Sequence, residues 1–147
     1  MKKNSKKIAE AEKVMNSAKP ADKPGRYWIG LDLGDKASRF CILNESSEVV
    51  ERGSVGTRKE DLKRKFASYS GNVIALEVGT HSPWISRLLQ QEGLDVVIAN
   101  PRNVKLITQS RKKSDDKDAE DLARLVKADR KLLSPVVHRS EQAQKDL

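Results

Sequence analysis

Trp28-Ile29-Gly30-Leu31-Asp32-Leu33-Gly34 is the stretch on which the fold turns. Trp28 to Leu33 reads as a strand. Alternation places Ile29, Leu31 and Leu33 on one face and Gly30, Asp32 and Gly34 on the other. Asp is disfavoured in strands. An acid flanked by glycines on one sheet face leaves room for a metal ion and for close approach of another backbone. Arg39 to Leu43 reads as a second strand and Val49 to Val55 as a third. Gly34-Asp35-Lys36 and Asn44-Glu45-Ser46-Ser47 supply the turns between them. Three consecutive strands with short turns predict an antiparallel meander.

Further along, the apolar period changes. Thr57-Arg58-Lys59-Glu60 has the form of a capping box, in which the Thr side chain and the Glu each satisfy a free backbone N–H. Leu62, Phe66 and Tyr69 then line one helix face, and Gly71 ends it. Val73 to Val78 is a fourth strand, apolar on both sides as a central strand should be. Ser82-Pro83 reads as an N-cap followed by Pro at the first helical position. Trp84, Ile85, Leu88 and Leu89 form the buried stripe of that helix, with Trp84 assigned to the core. Gly93 closes it, Leu94 to Ala99 is a fifth strand, Asn100-Pro101 starts another helix, and a last helix runs from about Asp115 to Lys127. The order βββαβαβα predicts an α/β, RNase H-like mixed sheet with helices on both faces, its later strands parallel through right-handed crossovers.

Three places on this framework carry acids at unusual positions. Asp32 lies on the first strand. Glu77 ends the apolar run Val73-Ile74-Ala75-Leu76, where an unpartnered charge is costly to bury and where ligand sites of open α/β sheets gather. Asp115 and Asp118 are three apart, so they share a helix face. Stepping back by four from Ala119 and Leu122 lands on them, so both continue the core-facing stripe of Ala119, Leu122, Ala123 and Val126. Acids in a first helical turn also suit the macrodipole. That accounts for Asp116, which lies off the stripe. Four carboxylates that can meet at one sheet edge are hard oxygen donors, suited to Mg²⁺ or Mn²⁺ and to two-ion phosphodiester chemistry.

The composition agrees with a phosphate-rich partner. The 147 residues carry a net charge of +8, with 37% apolar and 34% charged residues. That suits one globular core and a nucleic-acid partner. Arg102, Lys105, Arg111, Lys112 and Lys113 flank the acidic pair and are candidate phosphate contacts. No apolar stretch approaches the ~20 residues of a membrane span, and the N-terminus lacks the apolar core of a signal peptide. Cys41 stands alone, which excludes a disulfide framework and a cysteine zinc site. His81 and His138 are far apart in sequence and are not read as ligands. A cytoplasmic protein without membrane contact is expected. Residues 1–25 form a basic, flexible extension, residues 26–139 the catalytic domain, and residues 140–147 the start of a truncated helix leading to a further, absent C-terminal domain. Within the extension, Ile8, Ala11, Met15 and Ala18 allow a weak amphipathic helix.

Ile29-Gly30-Leu31-Asp32, Ala75-Leu76-Glu77 and Lys113-Ser114-Asp115-Asp116-Lys117-Asp118-Ala119 together resemble the DEDD motif of the insertion-sequence transposases of family one-ten, which includes the pilin-gene invertase. Asn100-Pro101 and the basic helix after it fit the same pattern. The resemblance spans roughly residues 27 to 145. It implies a RuvC-like N-terminal domain, Mg²⁺ dependence, and cutting and exchange of DNA strands. It also implies a second domain bearing a nucleophilic Ser, an element-encoded guide RNA, and a homo-oligomer in the full-length protein. Ser114 stands where the family usually has Thr, and no nucleophilic Ser is assigned within this chain.

Other classes share parts of the pattern. A stand-alone RuvC-like Holliday-junction resolvase would use the same four acids. A non-catalytic nucleic-acid-binding module would keep them for structure. An actin-like ATPase would share the sheet order, and Ile29 to Gly34 resembles its first phosphate loop. That class needs a second domain with its own phosphate loop and does not call for Asp-x-x-Asp on a helix.

Overall fold

The computed structural model describes residues 25–108 and 115–138, apart from the side chains of Asp115 and Asp116. The strands are β1 (Trp28–Asp32), β2 (Ala37–Leu43), β3 (Val49–Gly56), β4 (Val73–Glu77) and β5 (Asp95–Ala99). The helices are α1 (Lys59–Phe66), α2 (Ser82–Gln91), α3 (Pro101–Thr108) and α4 (Asp115–Ala128). One sheet holds all five strands in the order β3-β2-β1-β4-β5. β1, β2 and β3 form the expected antiparallel meander, and β4 and β5 add in parallel beside β1. This is the RNase H arrangement. The predicted extension over residues 1–24 and the helix start after 139 lie outside the described residues, as do Arg111, Lys112, Lys113 and Ser114.

Alternation sorts the side chains into two layers. On one face Ile29, Leu31, Phe40, Ile42, Ile74 and Leu76 pack against Leu62 and Phe66 of α1 and Ile85, Leu88 and Leu89 of α2. On the other, Ala75, Val97 and Ala99 meet Val104 of α3 and Leu122 and Val126 of α4. Cys41 and Leu43 meet Ala119 and Ala123 there too. The second face uses small residues because a helix backbone lies directly on it. A Cβ on Gly30 would sit 1.8 Å from the Ala119 carbonyl oxygen and 2.8 Å from the Ala123 nitrogen. Only glycine admits that contact.

Buried Asn72 ties the opposite edge together. Its side-chain oxygen accepts from the Tyr27 N–H at 2.8 Å, its amide donates to the Tyr69 carbonyl at 3.2 Å, and its carbonyl accepts from the Asp95 N–H at 2.9 Å. β1, β4 and β5 therefore start in register. After α4, a short 3₁₀ turn over Arg130–Leu133 buries Leu133, and the Val136 N–H then bonds the Ile98 carbonyl at 2.9 Å on the free side of β5.

Two helix starts differ from expectation. Arg58, not Thr57, is the N-cap of α1, and it makes no side-chain cap. The buried Thr57 hydroxyl donates instead to the Gly34 carbonyl at 2.7 Å and lies 2.8 Å from Ser38 Oγ. Ser82 is the first residue of α2 and His81 its N-cap, so Pro83 stands one position later than expected. Ser82 Oγ lies 2.9 Å from the Gly79 N–H, the Gly79 carbonyl and His138 Nε2. In both cases the buried hydroxyl also reaches a residue distant in sequence, Gly34 and Ser38 for Thr57 and His138 for Ser82. α3 starts as expected, with Asn100 Oδ1 accepting from the Arg102 N–H at 3.0 Å.

Candidate active site

Parallel register sets the first pair of acids. Gly30 is opposite Ala75 and Leu31 opposite Leu76, so Asp32 and Glu77 come next, side by side where both strands end. They share the face of Gly30 and Ala75 and are each half-buried. Both belong to hydrogen-bonding or electrostatic networks within the fold.

α4 crosses that face antiparallel to β1. Near its carboxyl end, Lys127 Nζ lies 4.8 Å above the Trp28 ring. Ala123 and Ala119 cover Gly30. Two residues of strand advance ~6.6 Å and four residues of helix ~6 Å, so the step from Lys127 to Ala123 keeps pace with that from Trp28 to Gly30. Continuing both places the first turn of α4, which Asp115 opens and which includes Asp118, over the ends of β1 and β4. Asp118 is half-buried, whereas Lys117 beside it is exposed. The fold thus sets Asp32 and Glu77 side by side at one edge, with the helix that carries Asp118 running across the same face. Among the described residues no three acidic, His or Cys side chains are gathered closely enough to hold an ion.

Two further charged side chains are withdrawn from solvent. Arg39 is opposite Asp32 on β2, on the same face and half-buried. Asp121 continues the three-residue spacing of Asp115 and Asp118 and is 7% exposed. With Ile107, Thr108, Arg124 and Leu125 it lines a small cavity between α3 and α4. The spacing that singles out Asp118 also selects Asp121, and strand pairing selects Arg39; neither was read from the sequence as a site residue. Arg102 and Lys105 are exposed on α3, as a phosphate-contacting surface requires. Leu106 and Ile107 are exposed beside them.

The polar side of α4 is anchored separately. Glu120 accepts from Arg124 Nε at 2.8 Å and from Arg52 of β3 at 2.8 Å, and Arg124 also donates to the Ser47 carbonyl at 3.1 Å. The Arg124 hydrogen bond, reinforced by Arg52, holds the Glu120 carboxyl below its ordinary range against the opposing effect of burial. His138 is pushed below the usual imidazole value, first by burial and then by the charge of Arg87.

A five-stranded 3-2-1-4-5 sheet with acids at the ends of β1 and β4 and a helix laid across that face is an RNase H-like domain. The model of the IS110-type DEDD transposases matches residues 29–145, and the chain belongs to that family. Among solved structures, a Thermus thermophilus RuvC is similar at 14% identity and a TM-score of 0.46, over 66% of this chain and 90% of that one. No curated protein matches the chain. Among the described residues no helix is long and apolar enough to cross a membrane.

Proposed function

We propose that this chain is the metal-dependent catalytic domain of a transposase that cuts and exchanges DNA strands, with Asp32, Glu77, Asp115 and Asp118 as its catalytic and metal-binding acids. The observation that supports this best is the placement of Asp32 and Glu77 in adjacent register beneath the first turn of α4. The donor set is oxygen alone, which suits Mg²⁺ or Mn²⁺. When bound, such ions activate the attacking oxygen and stabilise the leaving oxygen of a phosphodiester. The chain itself supplies rigidity. Asp32 and Glu77 stand at strand ends, and the helix that carries Asp118 is pressed onto Gly30. Arg102 and Lys105, together with Arg111, Lys112 and Lys113, hold the phosphate backbone across this edge.

The longer protein would complete the reaction with a second domain, a guide RNA and further copies of itself, all acting in the cytoplasm. Fe²⁺ in place of Mg²⁺ tests the ligand set without requiring turnover. With ascorbate and peroxide it should nick the polypeptide near residues 32, 77 and 118. Nicking elsewhere, or none in the presence of a DNA duplex, would contradict the assignment.

A further inference from the structure

The loops leaving β1 and β4 emerge at the edge that carries Asp32 and Glu77, and a histidine is locked between them. His81, in the β4–α2 loop, accepts a hydrogen bond at Nδ1 from the Trp84 indole N–H at 3.0 Å. The two rings meet edge to face, with centroids 6.0 Å apart, which fixes the imidazole plane. An indole nitrogen only donates, so Nδ1 must be the unprotonated nitrogen and the neutral ring carries its proton on Nε2. Nε2 points at Asp35 of the β1–β2 turn, at 3.1 Å. The Asp35 side chain is 91% exposed and the His81 side chain 30%.

This geometry restricts the chemistry. With Nδ1 engaged by Trp84, His81 has no free lone pair with which to act as a base. Losing the Nε2 proton would leave an imidazolate. What remains is a rigid neutral donor aimed at an anionic oxygen. Asp35 now accepts from that donor, and a carboxylate so exposed is weakly held. An oxygen anion from outside can take its place.

We propose that His81 is a phosphate-contacting residue of the nucleic-acid site. Its Nε2–H donates to a non-bridging oxygen of the DNA strand lying across the acidic edge, and Asp35 occupies that donor when DNA is absent. The inference rests on the DNA-cutting reading above and adds to it a specific contact on the α2 side of the edge, away from α3 and α4.

The test combines histidine ¹⁵N spectra with a double-mutant cycle, using the chain and a short DNA duplex in Ca²⁺. His138→Gln assigns the two imidazoles. In the free protein at neutral pH, His81 should show an unprotonated Nδ1 and a protonated Nε2, and the Nε2–H signal should move on addition of duplex. His81→Phe keeps the ring against Trp84 but removes the donor, and should weaken duplex binding roughly 5-fold, as loss of one net hydrogen bond of about 1 kcal/mol does. Asp35→Ala removes a negative charge and an acceptor, and the lost charge tightens binding in any case. The proposal requires that it tighten binding more in the wild type than in His81→Phe, because only there does it release a donor. A protonated Nδ1, or strictly additive effects in the cycle, would overturn the contact. Mn²⁺ binding measured on the same variants without Ca²⁺ separates the two levels. If it depends on Asp32 while the cycle is additive, only the His81 contact fails. If it is insensitive to Asp32 while the cycle shows coupling, the metal reading fails and the contact stands.

Discussion

Gly30 shows how one residue decides where a helix can pack. Its missing side chain lets α4 rest on β1, and a methyl group there would lie 1.8 Å from the Ala119 carbonyl oxygen. Gly30→Ala should therefore destabilise the fold by about 3 kcal/mol, at the upper end of overpacking costs, and lift the first turn of α4 off Asp32. Urea unfolding with Mn²⁺ binding measured in parallel would show both effects; a stable variant that still binds metal would mean that α4 is positioned by something else. That Asp32 and Glu77 end neighbouring strands was legible in the sequence, because each closes an apolar run in which a charge conflicts with local pattern. Thr57 and Ser82 were misread because their hydroxyls bond groups brought in by the fold, Gly34 and His138 among them. His81 was set aside because its partners, Asp35 and Trp84, come together only once β1 and β4 are paired.

At the scale of the element, α4 has two independent attachments. Its apolar stripe includes Leu122, fully buried, and Leu122→Ala should cost roughly 3 kcal/mol through lost transfer energy and the cavity left behind. Its polar side is held by Glu120 through Arg124 and Arg52. The Glu120 carboxyl is lowered from an ordinary value of 4.5. A carboxyl lowered by folding stabilises the native state above its unfolded value, and that contribution is lost as pH falls below 4.5 towards the lowered value. Glu120→Gln should therefore flatten the acid side of the stability–pH curve below pH 4.5 and leave its shape near neutrality unchanged. Thermal melts of both proteins from pH 3 to 7 would show this; parallel curves would mean that the network is cosmetic. The strand order and the helix positions were legible because apolar periods of 2 and 3.6 rarely conflict along this chain. The backbone-close packing of α4 on Gly30 was foreseen only as room for an approaching backbone, since which helix approaches is a tertiary fact.

For the whole molecule, the proposed DNA path joins the acidic edge to the exposed bases of α3, and such a surface would have to take a polyanion without repelling it. Metal ions would reverse the sign of the acidic part, and Arg102 and Lys105 would carry the rest. Reversing both charges, Arg102→Glu with Lys105→Glu, should weaken duplex binding and reduce the slope of log K against log salt by roughly 2. An unchanged slope would move the DNA path off α3. Membership of the DEDD transposase family was legible from three short motifs, because their spacing in sequence maps onto two adjacent strand ends and one helix.

Strand acids and helix acids are proposed to form one metal site. Mn²⁺ titrated calorimetrically into this chain, beside Asp32→Asn and Asp118→Asn and with a short duplex present in a parallel series, tests it most directly. Saturable binding that is lost in both variants is the predicted result. Binding that survives both substitutions, with and without DNA, would contradict the account.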